Sequence, residues 1–198
     1  MIVVVPRLVV PVVPPGRMAN REQPVLGAKD AVTIRPWVRT DASGVMEAFD
    51  EPSIQQWHMR RLETKQEAIA WIKEWHRRWR AESDASWAVT GDDGANLLGY
   101  VALRGVDLEF GFAEITYWVL PPFRGRRVAT NACSVVAGWA LADLGLHRLE
   151  VRHSVDNPAS CRVASNAGFE LEATLRSALL HADGWHDMHL HSRIGETS

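Results

Sequence analysis

A strand that ends on two prolines and passes into a basic glycine turn is the feature that most constrains this chain. Residues Tyr117 to Cys133 read YWVLPPFRGRRVATNAC. The first four residues are strand-like. Pro121 and Pro122 lack the N–H that a ladder needs, so the strand stops there. A helical apolar pattern then runs from Ala129 to Leu144 and closes near Gly145. The next run, HRLEVRHSV (His147 to Val155), is again strand-like. Strand, helix and strand in that order make a crossover unit, which predicts two parallel neighbouring strands.

The flanking segments predict antiparallel partners for that pair. VTIRPW (Val32 to Trp37) reads as an edge-like first strand. TDASGVMEAF follows as a short helix, with Thr40 or Asp41 available as a cap. Thr64 and Glu67 form a capping-box pattern ahead of a longer helix. In that helix Ala68, Ile72, Trp75 and Trp79 make one apolar stripe, and Lys73, Arg77, Arg78 and Arg80 fall largely off it. SWAVT, LLGYVALRGV and FAEITYWV read as a meander, with Gly99 at a bulge. NPASCRVASNAGF reads as a short helix capped by Asn157, with Pro158 in its first turn and Gly168 at its end. Two final strands flank the turn HADG. The order βααβββαβαββ predicts an α/β fold with a mixed, mostly antiparallel sheet and flanking helices.

Composition sets outer bounds. A chain of 198 residues with 46% apolar content supports one domain with a sizeable core. A net charge of -2, from 22 basic and 24 acidic groups, argues against a nucleic-acid partner. Two cysteines make no disulfide framework and point to a reducing, cytoplasmic setting. The greasy start MIVVVPRLVVPVVPPGRM is broken by Arg7 and several prolines, so it reads as neither signal peptide nor membrane span. Residues 1–30 are expected to be an extension, flexible or laid as an arm, and residues 31–198 the folded domain.

The basic turn raises the question of an anion. Arg124, Gly125, Arg126 and Arg127 precede Val128, Ala129 and Thr130. A helix starting there offers free N–H groups and the positive end of its dipole, and arginines add forked donors. The turn is either a phosphate seat or a solvated loop; neither a nucleotide P-loop nor a dinucleotide fingerprint is present. Glu114, in the preceding apolar strand, is either a general base with a raised pKa or a structural carboxylate. Ser160 could cap its helix or give up a proton. Cys133 reads as core and Cys161 as structural. Four histidines (His181, His186, His189 and His191) crowd the C-terminal strands, and His189 and His191 share a strand face. A zinc site needs three or four converging ligands, which this spacing does not ensure, so no metal is expected.

AEITYWVLPPFRGRRVAT and VDNPASCRVASNAGF, in this order of elements, resemble the GNAT (GCN5-related N-acetyltransferase) superfamily, in particular the branch of the RimJ and RimL ribosomal-protein N-terminal acetyltransferases. The resemblance covers about residues 32 to 194. It implies acetyl-CoA as co-substrate, held between two splayed central parallel strands. It assigns Arg124 through Thr130 to the pyrophosphate, Trp118, Val119 and Leu120 to the pantetheine arm, and Asn157 to the cofactor. It assigns Glu114 as base or water-positioning group and Ser160 as the acid for the departing thiolate. Arg127 and Thr116 stand where the family pattern has glycine; a helical backbone at Arg127, with its side chain turned outward, is expected. Asp187 is expected to orient an acceptor or pair with an arginine.

The implied activity is direct acetyl transfer to a primary amine, including a protein or peptide N-terminal amine. Small-molecule amines (antibiotic, amino acid or polyamine) and a non-catalytic CoA-binding module are the alternatives. The resemblance permits a monomer or a homodimer, and no membrane partner is expected.

Overall fold

In the computed structural model, residues 8–27, 32–58 and 61–195 are described. Eight strands form one sheet among them: β1 (Leu26–Gly27), β2 (Val32–Pro36), β3 (Ala85–Gly91), β4 (Leu97–Asp107), β5 (Phe112–Val119), β6 (Arg148–Ser154), β7 (Glu170–His181) and β8 (Gly184–Ile194). Their spatial order is β1-β2-β3-β4-β5-β6-β8-β7. Only β5 and β6 run parallel, across the crossover helix. The mixed, mostly antiparallel sheet is therefore the one expected. The first expected strand differs in one respect: the two-residue β1 pairs with β2, so β2 is not an edge.

Helices cover both faces. α1 (Ala42–Asp50), α2 (Pro52–Gln55) and α3 (Lys65–Arg80) pack on one side; α4 (Val128–Trp139) and α5 (Pro158–Asn166) pack on the other. The stripe on α3 is core, with Ala68, Ile72, Trp75 and Trp79 all buried. Its capping box forms, with Glu67 N–H donating to Thr64 Oγ1 at 3.2 Å and Thr64 N–H to Glu67 Oε2 at 3.1 Å. Arg78 is not simply solvated: it donates to Glu74 Oε1 at 2.8 Å and Asp84 Oδ2 at 3.4 Å. The crossover helix is less regular than its pattern, since Ala140–Leu144 form a π turn before Gly145 reverses the chain at φ 90°.

The sequence pattern missed α2. Glu51 caps it by accepting from Ser53 N–H, and Pro52 opens it where a missing N–H costs nothing. Residues 8–27 lie along the domain. Val13 and Met18 are buried, and Glu82 accepts from the N–H groups of Gly16, Met18 and Ala19. The indoles of Trp79 and Trp87 donate to the carbonyls of Arg21 and Pro24. Among the described residues, no helix is long and apolar enough to cross a membrane.

Gly99 locks β4 to β5. The β3–β4 register slips beside it, and a Cβ there would sit 2.4 Å from the Trp118 carbonyl oxygen. That oxygen is backbone and cannot swing away. Gly99→Ala must shift β5 and is expected to lower stability by about 1–3 kcal/mol, read as the midpoint of urea unfolding.

Candidate functional site: a cavity in the fork between two parallel strands

The parallel pair separates almost at once. Phe112, Ala113 and Glu114 pair with Arg148, Leu149 and Glu150, and the described pairing of β5 with β6 ends there. β5 stays on β4 from Phe112 to Val119, across one irregularity at Arg104–Asp107. Leu120 N–H donates to Leu98 O at 2.9 Å, so the even-numbered residues of β5 turn their backbone groups toward β4. Tyr117 and Val119 therefore turn theirs into the fork. Arg124 Nε already uses one of them, the Val119 carbonyl, at 3.0 Å.

A cavity of about 490 Å3 occupies the fork. At one end lie Arg124, Gly125, Arg127 and the first turn of α4. The amides of Val128, Ala129 and Thr130 precede the first intrahelical acceptor, and the Arg127 side chain does not cap them. Gly125 has φ 73°, a conformation that favours glycine. Arg127 adopts φ 60° and ψ 11°, so the helical backbone expected there is corrected to a left-handed one. A non-glycine residue in that region costs about 1–2 kcal/mol. Two expected cofactor-binding residues, one from the seat and one from the pantetheine arm, lie off the wall. Arg126 places its guanidinium 6.0 Å over the Phe123 ring, and Leu120 is buried in the core on the α1 and α3 side. Arg162 of α5, which sequence reasoning passed over, adds a cation to the wall.

Ser160 and Asn157 also line the cavity. Asn157 Oδ1 accepts from Ser160 N–H at 3.1 Å and so caps α5. Ser160 Oγ lies 2.8 Å from the Tyr117 hydroxyl, which also donates to the Ser160 carbonyl at 3.1 Å. Burial holds the Tyr117 phenol well above its ordinary pKa, so it stays protonated. Tyr117 is a site residue that sequence reading missed. Its signal was available: an odd position of β5 shares a face with α4 and α5, where Ser160 sits.

Glu114 lies on the opposite face of β5 and is not part of the cavity wall. It sits at the crotch of the fork, in register with Glu150. The two carboxylates are treated differently. Glu150 is buried and held by Arg148 Nε at 2.8 Å and Arg152 Nη2 at 2.7 Å. No described residue donates a hydrogen bond to Glu114. Burial pushes its pKa up; Arg152 and Arg104 oppose this and Glu150 adds to it, and the net direction is upward. Thr116, on the same face, shares a hydrogen bond with the Tyr100 hydroxyl at 3.2 Å. The cavity nevertheless reaches both faces, because Ile54, Trp57, His58 and Trp118 line it alongside Tyr117 and Ser160.

Of the two expected roles of Asp187, arginine pairing is corrected: its Oδ1 accepts from the Ser177 N–H at 2.8 Å, at the irregularity in β7, and among the described residues it pairs with no arginine. His186 is bracketed by Ser154 Oγ at 2.7 Å and Asp183 Oδ1 at 2.9 Å. Cys133 is core as expected, with burial pushing its thiol up to about 12.

Residues 31–170 match the acetyltransferase (GNAT) domain family. An uncharacterised N-acetyltransferase of Bacillus subtilis, YoaA, is 23% identical over 166 residues, 83% of this chain and 94% of that protein. The ribosomal-protein-serine acetyltransferase of Escherichia coli is 30% identical over 98 residues. That match covers 50% of this chain and 55% of the relative, so the chain spans about half the length of that protein. Among solved structures, RimL, a ribosomal L7/L12 alpha-N-protein acetyltransferase in complex with coenzyme A, superposes with a TM-score of 0.81 at 15% identity. It covers 88% of this chain and 100% of its own, a likeness of fold. With the family matched across most of the domain and its forked sheet present, the chain belongs to the GNAT acetyltransferases.

Proposed function

We propose that this chain transfers the acetyl group of acetyl-CoA to a primary amine, and that the amine is the N-terminal amine of a protein. The observation that carries this is the fork: one cavity joins a cationic helix N-terminus to unpaired strand backbone. Free amides of α4, with Arg124, Arg127 and Arg162 around them, suit a pyrophosphate. The inward-facing backbone of Tyr117 and Val119 suits the amide-like pantetheine arm. The protein acceptor is supported by the ribosomal-protein acetyltransferases among the relatives.

The thioester enters on the α4 and α5 side and the amine on the α1 and α3 side, where Glu114 lies. Glu114 takes a proton from the ammonium, directly or through water. The freed nitrogen lone pair attacks the thioester carbon, and the Val119 N–H faces the oxygen that gathers charge. Collapse breaks the C–S bond, and the nitrogen gives up its second proton to water, so that a neutral amide leaves. The thiolate takes the Ser160 hydroxyl proton, and a solvent proton restores it through the Tyr117 hydroxyl behind Ser160. A thiol pKa near ~8.5 makes the thiolate a fair leaving group, so this acid contributes modestly. Holding the two reactants together contributes more.

Calorimetry with CoA, 3′-dephospho-CoA and pantetheine tests the seat; affinity is expected to fall in that order. Arg127→Gly relieves a left-handed arginine, so the unliganded protein gains about 1 kcal/mol of stability while CoA binds more weakly. Equal affinity for CoA and pantetheine would remove the phosphate seat from the reading.

Glu114 yields a paired prediction. Its folded pKa lies above the unfolded value, so its favourable contribution is complete below the ordinary glutamate pKa of ~4.3 and is lost as pH rises through the folded value. Glu114→Gln should therefore melt above the wild type at neutral pH, with the gap closing toward pH ~4. The same change should lower kcat/KM with a peptide acceptor by about 100-fold or more. In the wild type kcat/KM should climb through a limb set above that ordinary value. Ser160→Ala should lower kcat by about tenfold with little change in the KM for acetyl-CoA. A screen of peptide N-termini against small amines, read by CoA release, identifies the acceptor class.

A further inference from the structure

Beneath α5, away from the cavity wall, four side chains from three elements converge. They are His153 of β6, Cys161 of α5, and His189 and His191 of β8; one ligand atom from each lies within 4.8 Å of all the others. The sheet brings the imidazoles together. β6 and β8 pair with His153 opposite His189 and Val151 opposite His191, so all three rings leave the same face. The His153 ring centroid lies 5.2 Å from that of His191 and 5.4 Å from that of His189. α5 then lowers Cys161 onto them, with Sγ at 3.8 Å from His191 Nε2. The spacing of His189 and His191 alone could not reveal this, because two of the four ligands come from other elements.

The protonation pattern suits a cation. His153 Nδ1 lies 2.8 Å from the Ser154 carbonyl, where it donates, and that leaves the Nε2 lone pair free. Nε2 is buried and has no partner, and the same holds for Nδ1 of His189. A ring whose other nitrogen donates to a carbonyl is the usual setting of a ligating histidine. Tetrahedral zinc, with Zn–N of ~2.0–2.1 Å and Zn–S of ~2.3 Å, sets its ligand atoms roughly 3.4–3.6 Å apart. The Cys161–His191 pair already stands near that spacing, and the others, all within 4.8 Å, need to close by no more than about 1.4 Å. A thiolate among imidazoles selects zinc-like ions over magnesium or calcium.

We propose that His153, Cys161, His189 and His191 form a tetrahedral binding site for a divalent cation of the zinc class. Four protein ligands leave no open position, so the site is structural. It ties α5 to β6 and β8 and thereby fixes the helix turn that carries Ser160. The inference does not rest on the acetyl-transfer reading, and its readouts do not require turnover.

The test titrates the full chain, after treatment with chelator, with Co2+ and then Zn2+. One equivalent of cobalt is expected to give tetrahedral visible bands and a thiolate-to-cobalt charge-transfer band, both displaced by zinc, and zinc should raise the melting temperature. Cys161→Ser should abolish the charge-transfer band, and His153→Gln should weaken zinc binding by about 100-fold or more. His186→Gln alters the separate histidine cluster near the β7–β8 turn and should change neither. Should a variant fail to fold, the wild type still decides the matter: one equivalent of zinc should slow alkylation of Cys161, mapped by mass spectrometry. No stoichiometric uptake, a charge-transfer band that survives Cys161→Ser, loss confined to His186→Gln, or alkylation at an unchanged rate would each overturn the site.

Discussion

The separation of β5 from β6 after Glu114 and Glu150 is the constraint on which the rest of the structure depends. A parallel pair normally continues, because each abandoned rung leaves a donor and an acceptor without partners. Here the chain keeps β5 paired with β4 across one irregularity at Arg104–Asp107 and leaves it unpaired with β6 from Ile115 onward. Groups that would be a liability in a closed sheet become the polar lining of a cavity. The proline pair fixes where the strand ends, and the turn that follows brings the α4 N-terminus to the same opening. A strand edge and a helix end, each short of hydrogen bonds, thus face one ligand-sized space.

The same fork sorts charge. Two glutamates meet in register where the strands part, and both cannot stay ionised and dry at low cost. Arg148 and Arg152 settle Glu150 as a bound carboxylate. Glu114 is left with distant cations and no donor, which raises its pKa. Environment, and not residue type, divides the paired carboxylate of Glu150 from the one at Glu114, whose pKa is raised. On the opposite face Tyr117 is held as an acid by burial and touches Ser160. Because successive residues of β5 alternate faces, Glu114 and Tyr117 lie on opposite sides of the fork.

Much of this was legible in the residues. Periodicity located the α3 stripe and the strand–helix–strand crossover, since burial on one face leaves a repeat that sequence preserves. Three things were not legible. α2 spans only Pro52–Gln55, too short for a repeat to register. The seat was drawn as a continuous run from Arg124 to Thr130, but Arg126 turns to Phe123, and Arg162 joins from α5. The histidine and cysteine cluster draws on β6, α5 and β8, so only strand register reveals it. Apart from α2, what failed was a relation between elements rather than a property of one.

Arg127 shows how such a relation reads back onto a single residue. Its backbone is left-handed at the residue that closes the basic turn and opens α4, a conformation that glycine adopts without strain. Arginine adopts it at a cost of about 1–2 kcal/mol, with nothing in the unliganded fold to offset it, since its side chain does not cap the helix. On the proposed reading, left-handed strain held at a helix N-terminus is offset when an anion arrives. On that reading the strain and the cation belong to the liganded state, where the guanidinium supplies charge that a glycine cannot.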